Sequence, residues 1–281
     1  MESHTRNLWI FVVVVGLGMC LCAAVVTAVG LGAIALPRLN LDLGVAEADR
    51  IEQSFTVGTA PALQVDNFAG GVTVRPGPAG TIQVIAVKKG FSQSTRDRIQ
   101  VQMTEQADGV LIKTERPSGL SSGSVDLEIV APADTRLQLH TGSGGVVAED
   151  MAGPATVDTG SGGIDLLDVK AVERAETGSG GITVRGASGP IRLQTGSGGI
   201  EYEGAPQGEC RFHTGSGGID LALPADLNAR VDLSTGSGSI RVGFPVSGQV
   251  NPKDVQGTIG DGSEATIYAE TGSGSIELTK Q

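Results

Sequence analysis

The tetrapeptide Thr-Gly-Ser-Gly occurs seven times in the second half of this 281-residue sequence. The copies begin at Thr141, Thr159, Thr177, Thr195, Thr214, Thr235 and Thr271. Successive copies are therefore 18, 18, 18, 19, 21 and 36 residues apart. A short fixed period is typical of solenoids, in which each repeat buries its apolar side chains by stacking on the next repeat. Since 36 is twice 18, the last interval predicts a degenerate copy of the motif near Thr258 to Ser263.

Alternating apolar and polar residues flank the copies of the motif. Gly181-Ile182-Thr183-Val184 follows one copy, and Ile191-Arg192-Leu193-Gln194-Thr195 leads into the next. Alternation with period two indicates β-strands that have one buried face. Each repeat is therefore predicted to be a strand, a Thr-Gly-Ser-Gly corner, a second strand and a return loop. The expected fold class is all-β, a single-stranded parallel β-solenoid with about 18 residues per rung over residues 135–281.

The same alternation predicts how the corner residues point. The threonine falls on the inward side, so we expect its hydroxyl group to bond to the threonine of the next rung. The glycines allow positive φ angles where a side chain would clash. The composition of 43 Gly, six Phe, two Tyr and one Trp fits a narrow stack of small apolar side chains rather than a large aromatic core.

Residues 51–134 contain further alternating runs without the motif, and we expect them to form a lead-in region that caps the stack. Asn67 to Val74 looks like a degenerate rung within this region. At the other end, the chain stops soon after the predicted strand Ile276 to Leu278, with Lys280 as the evident deterrent to edge pairing. End-to-end self-association is therefore predicted.

Residues 8–36 contain no charged side chain, and this run exceeds the about 20 residues that a membrane-spanning helix needs. Three interpretations are open: a retained signal anchor, a cleaved signal peptide, and a lipoprotein signal acylated at Cys20. The anchor is favoured, because the apolar run is too long for a cleaved peptide and Met19 is bulky where lipoprotein sites have small residues. Residues 1–37 are then a transmembrane signal anchor and residues 38–50 a linker. The sparse positive charges at the two ends of the run do not set its orientation.

The net charge of −11 lies entirely beyond residue 37, because Glu2 and Arg6 cancel before it. Proteins that bind nucleic acids non-specifically are normally basic, so no nucleic-acid partner is expected. The three cysteines do not suggest a disulfide framework, since Cys20 and Cys22 lie in the apolar run. Cys210 is predicted to be a small buried residue.

A second pattern precedes two of the corners. Ala131-Pro132-Ala133-Asp134 is followed by Leu137-x-Leu139-x-Thr141-Gly142-Ser143-Gly144, and Leu223-Pro224-Ala225-Asp226 precedes Thr235. In these residues, the segment 51–281 resembles a bacterial family of adhesin-like proteins of unknown function that carry a β-strand repeat, often behind one membrane helix. The resemblance implies a β-solenoid and an adhesin-like role, and it brings no catalytic residues.

The glycine-rich corners raise two ligand hypotheses. A phosphate-binding loop needs a Gly-Lys-Ser/Thr ending and a following helix, and the motif has neither. Calcium-binding nonapeptides have half this period, but their pattern requires an aspartate on every half-turn. Asp165, Glu201 and Asp220 are the residues to test as calcium ligands. The sequence otherwise predicts no metal and no cofactor.

The residues three positions before each corner should form one outward column. In chain order they are Gln138, Thr156, Arg174, Arg192, Arg211 and Asp232. Arg174, Arg192 and Arg211 would then form a ladder on an otherwise acidic domain. One interpretation is a surface ion-pair network of small net energy, in which Asp158 and Glu176 neutralise the arginines. The other is a docking stripe for an anionic glycan or envelope polymer, such as a wall or capsule polysaccharide, through paired guanidinium contacts.

The sequence as a whole predicts a non-catalytic, single-pass plasma-membrane protein whose C-terminal domain is extracytoplasmic and acts as an adhesin or structural binding module. One alternative is a sensor that binds an envelope-active peptide or lipid. That role would need a partner protein, because Met1 to Asn7 is too short to be an effector. Another alternative is a polysaccharide-cleaving enzyme using Arg192, Glu176 and Asp158. Outward aromatic residues for sugar stacking are scarce, with Tyr268 the main candidate.

Overall fold

The structure is a computed structural model that describes residues 49–119 and 122–281. The predicted membrane segment, residues 8–36, and nearly all of the predicted linker lie outside the described residues. Among the described residues, no helix has the length and hydropathy of a membrane span.

The described residues form mainly β-strands joined by short turns. The strands in chain order are β1 (Asp49–Thr56), β2 (Ala62–Asn67), β3 (Val72–Gly77), β4 (Thr81–Lys89), β5 (Gln100–Gln106), β6 (Gly109–Glu115), β7 (Ser124–Pro132), β8 (Arg136–Thr141), β9 (Val146–Glu149), β10 (Pro154–Thr159), β11 (Ile164–Leu167), β12 (Ala171–Ser179), β13 (Ile182–Ser197), β14 (Ile200–Ser216), β15 (Ile219–Leu223), β16 (Ala229–Ser237), β17 (Ile240–Val242), β18 (Ser247–Asn251), β19 (Asp254–Ile259), β20 (Ala265–Ser273) and β21 (Ile276–Lys280). One short helix, α1 (Gln93–Arg98), follows β4, and the Ser92 hydroxyl caps it by accepting a hydrogen bond from the Thr95 N–H. The hydrophobic pattern of the sequence does not reveal this helix.

The central rungs, residues 136–223, stack in chain order. Thr159 lies between Thr141 and Thr177 in parallel pairing, which is the spacing of one repeat. Strands that precede a corner form one face of the stack, here called the first face, and strands that follow a corner form the second face. The all-β class and the solenoid arrangement are therefore confirmed in this part of the chain.

The core fills the space between the two faces. Its inward positions are mostly Ile, Leu, Val and Ala, as the alternation predicts. One aromatic pair is buried among them: the ring centroids of Tyr202 and Phe212 are 5.3 Å apart. The Tyr202 hydroxyl donates a hydrogen bond to the Ala187 carbonyl at 3.2 Å, which satisfies its polar end. Cys210 is buried as predicted, and burial raises the pKa of its thiol to about 11.

The corner threonines are buried and point inward, but their hydroxyl partner differs from the prediction. Thr195 Oγ1 donates to the Gly180 carbonyl at 2.9 Å, and Thr214 Oγ1 donates to the Gly198 carbonyl at 2.9 Å. The partner is thus the second motif glycine of a neighbouring corner, and the predicted threonine–threonine bond is wrong. A buried carbonyl requires a donor, and the threonine hydroxyl supplies one on each rung.

Neighbouring corners dictate two of the glycines in the motif. Gly180 has a φ of 142°, and a Cβ there would lie within 3.0 Å of the backbone of the adjacent corner. A Cβ at Gly178 would also lie within 3.0 Å of the adjacent backbone. At Gly181, the residue after the motif, the nearest atom would be 3.6 Å away, which is an ordinary contact. Serine accordingly occupies that position in two corners, at Ser239 and Ser275.

At the C-terminal end, the rungs do not stack in chain order. β20 lies between β14 and β16, so Thr271 is opposite Thr214 on one side and Thr235 on the other. β21 likewise lies between β15 and β17. The last rung of the chain therefore inserts into the stack, and the rung that begins at Thr235 lies outside it.

The insertion overturns two expectations about this end. The degenerate corner predicted near Thr258 to Ser263 does not exist, because the 36-residue interval contains the β18–β19 hairpin instead. β19 pairs antiparallel with β16, and β18 pairs antiparallel with β19. The predicted final strand is also not an exposed edge, since β21 has a neighbour on both sides. The outermost strand of the first face is β18.

The N-terminal end is built in the same way. β2 lies between β6 and β8, and β3 lies between β7 and β9, so the segment Asn67 to Val74 forms a rung inside the stack. Asn67 takes the place of the corner threonine opposite Thr141, and its side-chain amide donates to the Gly70 and Val125 carbonyls. Beyond this rung the strands reverse direction: β5 pairs antiparallel with β6, β4 with β7, and β1 with β4. The solenoid is thus not wholly parallel, which corrects that part of the predicted fold class.

Candidate binding surface

The predicted arginines lie side by side on the outside of the first face. Arg174 pairs with Arg192 in register, and Arg192 pairs with Arg211. The residue next to Arg211 is Tyr268, because β20 inserts beside β14. Asp232 follows Tyr268 rather than Arg211. We call Arg174, Arg192, Arg211 and Tyr268 the arginine column.

Arg174 is neutralised by its neighbours. Its Nη2 lies 2.8 Å from Asp158 Oδ2, and its Nη1 lies 3.3 Å from Glu176 Oε2. All three side chains are partly exposed, and pairs of this kind contribute little to stability. The ion-pair interpretation of the column therefore describes Arg174.

Arg211 is held from two sides. Its Nε lies 2.7 Å from Glu209 Oε1, and the hydrogen bond lowers the pKa of Glu209 while raising that of Arg211. Its guanidinium carbon also lies 4.5 Å from the centroid of the Tyr268 ring. A guanidinium over an aromatic face is attracted by the ring's quadrupole, so Tyr268 orients Arg211 as well as covering one of its faces.

Arg192 differs from both neighbours. Within residues 49–119 and 122–281, no carboxylate forms an ion pair with its guanidinium. The physical reason lies in the adjacent outward column, where the rung of Arg192 carries the neutral Gln194 while the rung of Arg174 carries Glu176. Arg192 is an exposed cation in a domain with an excess of carboxylates.

Two shallow depressions flank Arg192 and Arg211. One, of about 200 Å³, is lined by Arg192, Gln194, Arg211, His213, Tyr268 and Glu270. The other, of about 280 Å³, is lined by Glu173, Pro190, Ile191, Arg192, Glu209 and Arg211. Both arginines are therefore accessible from either side of the column.

The calcium candidates lie on the outside of the second face and do not form a cluster. Glu201 pairs with Asp220 in register, whereas Asp165 is separated from Glu201 by Thr183. Glu201 is instead 2.7 Å from Arg185 Nη2. No group of three His, Cys, Asp or Glu side chains in the described part of the chain is arranged to hold a metal ion.

The inserted last rung adds an acidic neighbour that chain order hides. Glu277 lies beside Asp220, so Glu201, Asp220 and Glu277 occupy three successive rungs. Partial burial raises the pKa of Asp220, and the negative charges of Glu277 and Glu201 raise it further. Tyr268 and Glu277 both sit at positions that the repeat register identifies. Sequence reasoning nevertheless misses which rungs they adjoin, because their rung returns between two earlier ones.

One family model matches most of the solenoid, and several solved structures are similar to this chain. The family model described as Toastrack DUF4097 matches residues 81–279. A putative cell adhesion protein from Clostridium sporogenes is 13% identical over 83% of this chain and 100% of its own, with a TM-score of 0.33. Putative adhesins from Bacteroides fragilis and Parabacteroides merdae are 12% and 10% identical over 82% of this chain and 97% and 95% of their own, each with a TM-score of 0.37. No curated protein matches the chain.

Proposed function

The chain belongs to the Toastrack DUF4097 family, and we propose that it is a non-catalytic, adhesin-like module of the cell envelope or surface. In this proposal, residues 8–36 anchor it in the plasma membrane, and the extracytoplasmic solenoid presents the arginine column to an anionic polymer such as a wall or capsule polysaccharide. The observation that carries the proposal is the exposed Arg192 guanidinium, which has no ion pair within the described residues and lies beside an oriented second guanidinium.

The charge arrangement around Arg192 leaves its guanidinium open to an external anion. Arg192 lies directly between two other arginines, and like charges opposite each other on adjacent strands destabilise a sheet. Carboxylates compensate for this repulsion at Arg174 and Arg211. The charge of Arg192 helps to lower the pKa of Glu209, but no carboxylate in the described part of the chain forms an ion pair with it. An external anion can supply that closer contact.

The geometry of the pair suits oxyanions. Adjacent rungs are about 4.8 Å apart, so Arg192 and Arg211 can contact two oxygens of one carboxylate or sulfate group, or groups on successive sugars. Guanidinium groups bind such anions through two parallel N–H donors. Arg211 is already oriented by Glu209 and Tyr268, so less side-chain freedom is lost when the anion binds.

The shape of the surface favours a polymer over a small molecule. Sites for small ligands are usually concave and enclose most of the ligand. Here the two depressions hold only about 200 and 280 Å³, and the arginines stand between them. A chain that lies along the column can contact both depressions without being enclosed.

The test is binding of the full-length protein, in lipid nanodiscs, to immobilised polygalacturonate and dextran sulfate, with neutral dextran as the reference. We expect the double variant Arg192→Gln, Arg211→Gln to lose at least about tenfold in affinity, because the loss of even one charge-assisted contact of about 1.5 kcal/mol corresponds to about tenfold. The matched control is Arg185→Gln, Arg241→Gln, which removes two charges from the second face. This control should bind with the affinity of the wild type, and added salt should lower the affinity of both the control and the wild type.

Equal loss in both double variants, or wild-type binding no stronger than to neutral dextran, would contradict the proposal. Location has a separate test, which is protease shaving of intact cells. If the region from Gly44 onward survives on intact cells but is cut in lysed cells, the surface-exposed role is wrong.

A further inference from the structure

A second surface of interest is the free edge of β18, at the end of the stack away from β1. β18 pairs with β19 on one side and with no other strand among the described residues. On the first face it lies eleven strand spacings from β5, a distance of roughly 50 Å. The described chain begins at β1, which is the outermost strand of the second face at the same end of the stack as β5, so the β18 edge is remote from that point.

The charge of this edge sets it apart. The described stack has four terminal strands, namely β1, β5, β17 and β18. β1 carries three charged residues, β5 carries Glu105 and β17 carries Arg241, whereas Ser247–Asn251 contains none. Charges on edge strands deter pairing with other chains, so β18 lacks the deterrent that the other terminal strands have.

An exposed valine on β18 is a second indication that this edge binds another strand. Leu233, Val255 and Val250 are cross-strand neighbours and thus lie on the same, inward side of the first face. Leu233 and Val255 are buried, while Val250 is 58% exposed. The inward apolar row therefore continues one strand beyond the core, and Val250 remains uncovered.

We propose that the free edge of β18 binds the same edge of a second copy of this chain, in antiparallel orientation. Antiparallel pairing of an edge with itself follows a two-fold axis, so the donors and acceptors of the edge complement themselves. A second copy brings no charge to the joint even though the chain has a net charge of −11. The added strand also covers Val250.

This pairing joins two stacks end to end and places their N-terminal ends far apart. Two copies anchored on facing surfaces can therefore meet through β18, which would be a homophilic contact. Two paired strands of five residues bury less surface than the about 1,200 Å² of a stable interface. The contact therefore depends on many copies acting together. The inference goes beyond the polymer-binding proposal and does not depend on the arginine column.

The experiment is chemical cross-linking of the full-length protein reconstituted in liposomes, in a background with Cys20→Ser and Cys22→Ser. Gln249→Cys places a thiol at the middle of β18, and Ser161→Cys is the control at an exposed corner in the centre of the stack. Cys210 can stay, because it is buried and its raised pKa keeps the thiol protonated. With a short bismaleimide, we expect covalent dimers from Gln249→Cys and none above background from Ser161→Cys.

A second variant tests the contribution of Val250 to the contact between two copies of β18. Val250→Lys, added to Gln249→Cys, should reduce the dimer fraction about tenfold, because it puts like charges together at the edge. Val250→Thr keeps the strand propensity and should reduce the dimer fraction less. Thermal unfolding of each variant confirms that the solenoid is intact.

Equal dimer fractions from Gln249→Cys and Ser161→Cys, or no effect of Val250→Lys, would overturn the proposal. Gln102 lies on β5, so Gln102→Cys places a thiol on the edge strand at the other end of the first face. If Gln249→Cys chains mixed with Gln102→Cys chains cross-link mainly to the latter, β5 is the partner and the proposal is wrong.

Discussion

The middle of the solenoid and its two ends are built differently. In the middle, every rung has an equivalent rung on both sides, and corner threonine, corner glycines and apolar columns all align with their counterparts. At the ends there is no next rung. There the chain inserts one rung out of order and adds antiparallel strands outside it. A repeat thus specifies its own neighbours, but it does not specify how a stack stops.

The first prediction compares a central corner with a turn at the N-terminal end. Gly180→Ala should destabilise the protein by about 3 kcal/mol or more, because the new Cβ collides with the adjacent corner at a positive φ. Gly181→Ala, one residue later, is the control and should stay within about 0.5 kcal/mol.

The corresponding change at the end is Gly80→Ala. Gly80 also has a positive φ, of 80°, but a Cβ there would meet its nearest atom at 3.7 Å. We expect a cost of about 1 kcal/mol from the backbone conformation alone. Chemical denaturation measures all three, and equal costs for Gly180→Ala and Gly80→Ala would show that the corners do not depend on stacking.

The second prediction compares two buried valines. Val184 lies in a central rung, and Val255 lies in the outer hairpin. Val184→Ala should cost about 2 to 3 kcal/mol, since rungs on both sides hold the cavity open. Val255→Ala should cost about 1 to 1.5 kcal/mol, because the outer strands can collapse onto the cavity. If denaturant unfolding gives the larger loss for Val255, the ends rather than the middle limit stability.

The third prediction separates two members of the arginine column by stability. Arg174→Gln should destabilise the protein by about 0.5 kcal/mol at low salt and by less at high salt, because two partly exposed ion pairs are lost. Arg192→Gln should leave the unfolding midpoint nearly unchanged, because it removes both the repulsion from Arg174 and Arg211 and the attraction to Glu209, and it breaks no ion pair among the described residues. A destabilisation by Arg192→Gln equal to that of Arg174→Gln would indicate a structural role for Arg192.

The fourth prediction concerns the acidic column that the inserted rung completes. The pKa of Asp220 is raised in the folded protein, so the folded state binds this proton more tightly than the unfolded state does. Ionisation of Asp220 therefore lowers stability as the pH rises through that raised pKa. Asp220→Asn should stabilise the protein by about 0.5 kcal/mol at neutral pH by removing a like charge between Glu201 and Glu277. The gain should vanish well below the ordinary aspartate pKa of 3.8, and a pH-independent gain in thermal melts would contradict the assignment.

The sequence predicts the middle of the fold well because its information is local and periodic. The intervals of 18 residues place Arg174, Arg192 and Arg211 on successive rungs, and alternation places the corner threonines inward. The threonine's acceptor was predicted wrongly, because the alternation shows which side is buried but not where backbone carbonyls point.

The ends could not be predicted in the same way. An interval of 36 residues is equally compatible with a hidden rung and with a hairpin, and strand pattern alone does not say which earlier strand a later one will join. The candidate surface inherits this gap. The repeat register identifies the positions of Tyr268 and Glu277 within their rung. Their placement beside Arg211 and Asp220, however, results from the insertion of that rung. By contrast, the repeat register does show that Gln194 stands beside Arg192 where Glu176 stands beside Arg174, which explains why Arg192 has no ion pair among the described residues.

The insertion of the last rung is the most direct claim to test, since it brings Tyr268 to Arg211 and completes the arginine column. In the structure, His213 is in register with Glu270, and Ser234 lies on the far side of Glu270. In a background with Cys20→Ser and Cys22→Ser, oxidation of the pair His213→Cys, Glu270→Cys should give an intramolecular disulfide, and the pair His213→Cys, Ser234→Cys should give none. If the second pair forms the disulfide and the first does not, the rungs stack in chain order, and the surface described at Arg211 and Tyr268 does not exist.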